Sequence, residues 1–163
     1  MVIKYEPLNR REKIVKLFRE AIEAENRNDL EAAKRKLDEI LHESLDVEPE
    51  FYFEACFRLA DIFLQEDNYR GAVKCALRAI VRAPSGDHYR LGMKRLGDFL
   101  TIIKKEGKLS ELAENMEPAL KLVEDDEELY RFMIALIRLA RGEEVREKFT
   151  LPELNEAFNS LTG

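Results

Sequence analysis

Cysteine, proline and glycine are scarce in this chain, and no long apolar run occurs. Two Cys, five Pro and seven Gly are spread over 163 residues. Cys56 and Cys75 match neither a metal-ligand spacing nor a CxxC redox pair. Both fall on or beside apolar stripes, so they read as small, reduced core residues. No stretch approaches the roughly 20 apolar residues needed to cross a bilayer, so no membrane partner is expected. The opening MVIKYEPLNRREK holds no apolar segment long enough for a signal peptide, which makes the cytoplasm the expected location. The motifs of common catalysts are also missing: there is no HExxH, GxSxG, P-loop or GxGxxG pattern. His42 and His88 are the only histidines, and they lie on different predicted helices. The chain is therefore expected to be no enzyme and to carry no cofactor and no catalytic or metal site.

What the chain does contain is charge and helix-forming residues. The length fits a single domain spanning 1–163. Glu, Lys and Arg dominate, which favours an all-α protein and is the usage found in thermophilic sources. Charged residues make up 37% and the net charge is −6, which argues against nucleic acid as a partner. Basic clusters at Arg10-Arg11-x-Lys13, Lys34-Arg35-Lys36 and Lys104-Lys105 are all interleaved with or flanked by acids, as on a solvated helix face.

Apolar residues recur at helical period through most of the chain. The spacing predicts helices over 11–26, 30–45, 50–65, 69–83, 87–106, 109–123, 127–141 and 151–161. Pro118 should kink or interrupt the sixth. The acidic run Glu124–Glu128 reads as the favourable start of the seventh, because its charges meet the positive end of a helix dipole. Thr150-Leu-Pro-Glu153 has the form of a capping box, with Phe149 and Leu154 placed as a hydrophobic staple. Turn signals at Asp29-Leu30, Asn68-Tyr69 and Lys108-Leu109 are spaced by 39 and 40 residues, and Gly142 follows Gly107 by 35. Recurrence in this range marks a helical repeat array whose units share a core. The expected hairpins cover about 11–45, 50–84, 87–123 and 127–148, followed by a C-terminal helix at 151–161.

One segment carries more specific residues. In ACFRLADIFLQEDNYRGAVKCALRAIVRAP, from Ala55 to Pro84, Leu59 and Ala60 pair a large and a small residue. Phe63 follows, Ala72 and Ala79 are small positions on the next helix, and Pro84 closes the unit. This hairpin resembles a tetratricopeptide (TPR) repeat, with longer and degenerate neighbours on either side. The resemblance implies an α-α superhelix of three to four stacked antiparallel hairpins with a C-terminal capping helix. Leu59, Ala60, Phe63, Ala72, Ala79 and Pro84 would pack the helices together.

The resemblance further implies a protein–protein interaction scaffold. Such scaffolds bind a peptide or amphipathic helix in a groove lined by the first helix of each hairpin. The carried-over groove positions are Val15, Phe18 and Ile22, then Glu54, Phe57, Asp61 and Leu64, then Lys94, Thr101, Lys104 and Lys105, and finally Leu129, Phe132, Leu136 and Leu139. No ordered Lys/Asn/Arg set for clamping a carboxylate is present among them. The partner implied is another protein or peptide. The alternative is a structural protein that self-associates as a homodimer through the apolar groove or the C-terminal helix. That last helix could cap the array, fold into the groove or exchange into a neighbour.

Overall fold

The computed structural model describes residues 8–163. Among them it contains nine helices and no strand: α1 (Arg10–Asn26), α2 (Leu30–Ser44), α3 (Pro49–Gln65), α4 (Tyr69–Val81), α5 (Gly86–Lys105), α6 (Leu109–Ala113), α7 (Glu117–Val123), α8 (Glu127–Ala140) and α9 (Pro152–Thr162). Most helices start where a short polar side chain accepts a bond from an otherwise unpaired amide. Asn9, Asp29, Asn68, Ser85 and Asp126 each accept from the amide three residues on. Pro49, Pro118 and Pro152 fall in first turns, where a missing N–H costs nothing.

The stops are as regular as the starts. Asn28, Asp67, Gly107 and Gly142 all adopt left-handed backbone, with φ of 58°, 59°, 71° and 87°. In each case the next amide reaches back to the carbonyl five residues earlier. Asp29 N–H donates to Ala24 O, Asn68 to Phe63 O, Lys108 to Ile103 O and Glu143 to Arg138 O, at 2.8, 2.8, 3.0 and 3.1 Å. This is the Schellman ending of a helix. After the first three such turns a new helix begins at once.

Consecutive helices pack antiparallel: α1 on α2, α2 on α3 and α3 on α4. Small residues set their separation. Ala21, Ala24 and Ala33 on the first pair, and Ala55, Ala60, Ala72, Ala76 and Ala79 on α3 and α4, are all buried. Next, α5 packs on α4. The contact is close at Gly92, where an added Cβ would lie 2.7 Å from Ile80 Cγ1. At the far end α8 rests on α6 and α7, and α9 returns to lie along α5. Polar ties join the units. The buried Tyr69 donates its hydroxyl to Glu106 Oε2 at 2.8 Å, and Tyr89 donates to Asp126. The Glu106 bond and then burial at Tyr69, and burial and then the Asp126 bond at Tyr89, hold both phenols well above their ordinary pKa.

Three expectations change. The sixth predicted helix is two helices, and the break falls at Asn115, whose φ is 58°, rather than at Pro118. Proline is harmless in the first turn of α7, so the left-handed asparagine does the breaking. The fourth hairpin is absent: residues 143–149 are not helical, and of them only Val145 and Phe149 are buried. A stretch of alternating charges offers too little apolar surface to dock a second helix there. The capping box at Thr150 does not form either. Thr150 is exposed, and Asn155 bridges the Phe149 backbone, accepting from its N–H at 2.8 Å and donating to its carbonyl. Leu151 N–H donates to Glu128 Oε1 at 3.0 Å.

Gly92→Ala will force Ile80 from its core position. It should cost about 1–3 kcal/mol and lower the melting temperature by roughly 3–10 °C, as read by scanning calorimetry.

Candidate functional site

The candidate face is built from positions three and four residues apart on α1, α3, α5 and α8, a spacing that keeps them on one side of each helix. Its α1 portion is open. Ile22 is exposed, and Phe18 is half-buried with its ring 5.8 Å from Phe51. On α3, Leu64 is half-buried and Asp61 is exposed. Phe57, expected as open lining, is instead core. Its ring lies 5.0 Å from Phe53 and 6.2 Å from Phe99, with the Arg95 guanidinium 4.9 Å above it. Side chains of Phe99 and Arg95 reach across from α5, and Phe57 fills the seam between them.

Phe57 forms the floor of a small cleft of about 210 Å³ between α3 and α5, walled by Glu54, Arg58, Asp61, Arg95, Asp98 and Phe99. The walls are charged and the floor is aromatic. Although Asp61 has an open edge, its neighbours strip part of its hydration and raise its carboxyl above the usual pKa. Arg95 and Arg58 act the other way with smaller effect.

The α5–α8 portion is occupied by the chain itself. α9 buries Leu154, Ala157, Phe158 and Leu161 as one apolar stripe. Gly97 is the α5 counterpart of Phe18 and Phe57, and there an added Cβ would lie 3.0 Å from Ala157 Cβ. The glycine leaves a notch, and the alanine fills it. Polar ties fix both ends of α9. Arg90 pairs with Glu153 at 2.8 Å, and Lys104 Nζ donates to the carbonyls of Ser160 and Gly163 at 3.0 and 3.2 Å. A cation at that end complements the helix dipole. Lys104 is thus engaged by α9, whereas Lys105 is exposed. Phe132 and Leu136, also expected as open lining, are buried. Phe149 stands between Phe132 and Phe158, 5.5 and 5.8 Å from their rings.

The expected packing residues are mostly core. Leu59, Ala60, Ala72 and Ala79 are buried, while Phe63 and Pro84 are half-buried. The notch at Gly97 was not foreseen. A glycine inside a helical pattern, three residues from an expected lining position at Lys94, was the available signal.

Other chemistry finds little support. Burial pushes the Cys56 thiol up to about 12 and Cys75 to about 11, so neither is a nucleophile near neutral pH. A cleft of about 970 Å³ lies at the α4–α5 and α7–α8 turns, with Asp125, Asp126, Glu127 and Glu128 among its lining. Two of those acids have structural duties: Asp126 caps α8 and accepts from Tyr89, and Glu128 accepts from Leu151. Among the described residues no cluster of three or more His, Cys, Asp or Glu is placed to hold a metal. No helix among them is long and apolar enough to cross a membrane. No protein-family model, curated protein or solved structure matches this chain.

The raised Asp61 pKa penalises the charged form in the folded state. Asp61→Asn should therefore raise the melting temperature slightly at pH 7. The difference should fade as pH falls below the unfolded value of about 3.9, where both states are protonated. Thermal melts of the two proteins from pH 3 to 7 check this.

Proposed function

We propose that this protein is a TPR-like helical-repeat scaffold whose working surface is the face made by the first helix of each hairpin, and that this surface takes an amphipathic helix. The observation that carries the reading is α9. An amphipathic helix already lies on α5 at the counterpart of Phe18 and Phe57, seated by an apolar stripe, a Gly97–Ala157 approach and charged ties at both ends. The recurring left-handed turn at Asn28, Asp67, Gly107 and Gly142 supports the repeat architecture.

The partner is a protein or peptide rather than nucleic acid. The net charge is −6, and members of the basic clusters are spent on local acids: Arg11 on Glu48, Lys13 on Glu43, Lys34 on Glu31 and Glu66, Lys36 on Glu20. The open part of the face joins apolar Val15, Phe18 and Ile22 to the charged cleft around Asp61. That suits a helix with apolar anchors at i, i+3, i+4 and i+7 and a basic residue toward α3. The role proposed for this surface is recognition.

Selection of helical peptides against the full-length chain tests the reading. The selected sequences should share those anchors, and Ile22→Glu should weaken them by at least about tenfold in fluorescence titrations. Binders that ignore Ile22 and Asp61 would sink it.

A further inference from the structure

The α1 end of this face has a partner that the chain's own chemistry specifies. Leu8, just ahead of α1, and Val15 and Ile22 within it form an outward stripe exposed to 51, 44 and 37%. The three are seven residues apart, the repeat by which two helices hold a shared seam. A shallow depression of about 570 Å³ runs along Leu8 and Val15, walled by Asn9, Arg11, Glu12, Lys16 and Arg19. α1 packs against α2, and side chains of Phe51 and Arg58 reach its flank at Phe18 and Glu25, but the stripe faces away from both.

Charge is divided along α1. Arg10, Arg11, Lys13, Lys16 and Arg19 fall in the first part, with Glu12 among them, and Glu20, Glu23 and Glu25 in the second. Arg11, Lys13, Glu20 and Glu25 are also paired with Glu48, Glu43, Lys36 and Arg58 of neighbouring segments, so the division is carried most by the others. A helix divided in this way repels a parallel copy of itself. Reversed, it sets basic against acidic and opposes the two helix dipoles. We propose that the occupant of the α1 end is α1 of a second copy of this chain, antiparallel about a two-fold axis through Val15. The inference rests on reading the face as one that accepts helices.

The register follows from the stripe. Val15 meets its own counterpart, and Leu8 of each copy meets Ile22 of the other. Glu12 and Arg19 lie on the same edge of the stripe. The two-fold therefore brings Glu12 of each copy beside Arg19 of the other, giving two charge pairs for one seam. With 17 residues α1 is about 25 Å long. A seam of that length belongs to the small interfaces below about 1,200 Å², so the dimer forms in the micromolar range rather than tightly.

Sedimentation equilibrium of the full chain from about 1 μM to about 1 mM covers that range. The expected mass climbs from the 19.0 kDa of one chain to twice that value. Val15→Glu sets two carboxylates together at the axis and should abolish association up to the highest concentration. Arg19→Glu creates two like-charge pairs and should weaken it roughly tenfold. The double change Glu12→Arg with Arg19→Glu re-creates both pairs in reverse and should recover most of that loss. Because Glu12 also accepts from Asn9 at the start of α1, circular dichroism of each variant verifies the fold. A single-chain mass at every concentration overturns the proposal, whatever else then covers the stripe. A dimer indifferent to both Val15→Glu and Arg19→Glu overturns it as well. If such a monomer still binds selected peptides through Ile22, only the dimer fails and the helix-accepting face stands. If the dimer behaves as expected and no peptide binds, the face accepts its own copy alone.

Discussion

How near one helix can come to the next decides most of this molecule. Two backbones close up only where neither carries bulk, and the chain supplies that condition repeatedly. Ala21 and Ala33 serve α1 and α2, Ala60, Ala72 and Ala79 serve α3 and α4, Gly92 meets Ile80 at the α4–α5 contact, and Gly97 meets Ala157 at the α5–α9 contact. Close approach lets the larger residues interlock behind it, and dense packing is where dispersion and apolar burial act together. The left-handed turns complete the arrangement. Those at Asn28 and Asp67 reverse the chain so sharply that the next small-residue face meets the previous one.

The same constraint bears on function. A helix with a small residue at a key position is either packed there or left with a notch. At Gly97 the notch is filled by the chain's own α9. On α1 the equivalent position holds Phe18, and the surrounding stripe faces outward. One face therefore has two unlike ends, one closed by an internal helix and one open. The middle, around Asp61 and Arg95, is charged above an aromatic floor.

Much of this was legible in the sequence, for identifiable reasons. Helical period located most of the elements, because apolar stripes are dictated by burial. Asn28-Asp29, Asp67-Asn68 and Gly107 marked turns because left-handed backbone selects Asn, Asp and Gly. The buried small residues from Ala55 to Ala79 announced a tight hairpin. The misreadings came from tertiary context. Phe57 is periodic with Phe18, yet α5 lies over it, and no local pattern encodes a neighbour 40 residues away. Phe132 and Leu136 sit at lining positions but are buried, with Phe149 packed against Phe132. The break at Asn115 was hidden by the more conspicuous Pro118, and the charged stretch after Gly142 lacked only the apolar positions a helix needs to dock. The seat of α9 was the least legible feature, since Gly97 and Ala157 are 60 residues apart and neither is unusual alone.

The central claim is that α9, although its apolar stripe joins the core, is seated on the face as an occupant that can leave without unfolding the helices beneath. Native-state hydrogen exchange of the full chain tests this most directly, because it separates local release from global unfolding. The account predicts that amides of α9 exchange through an opening of lower free energy than those of α3 and α4, with α5 remaining protected. Equal protection of α9, α3 and α4, lost only together in global unfolding, would contradict it.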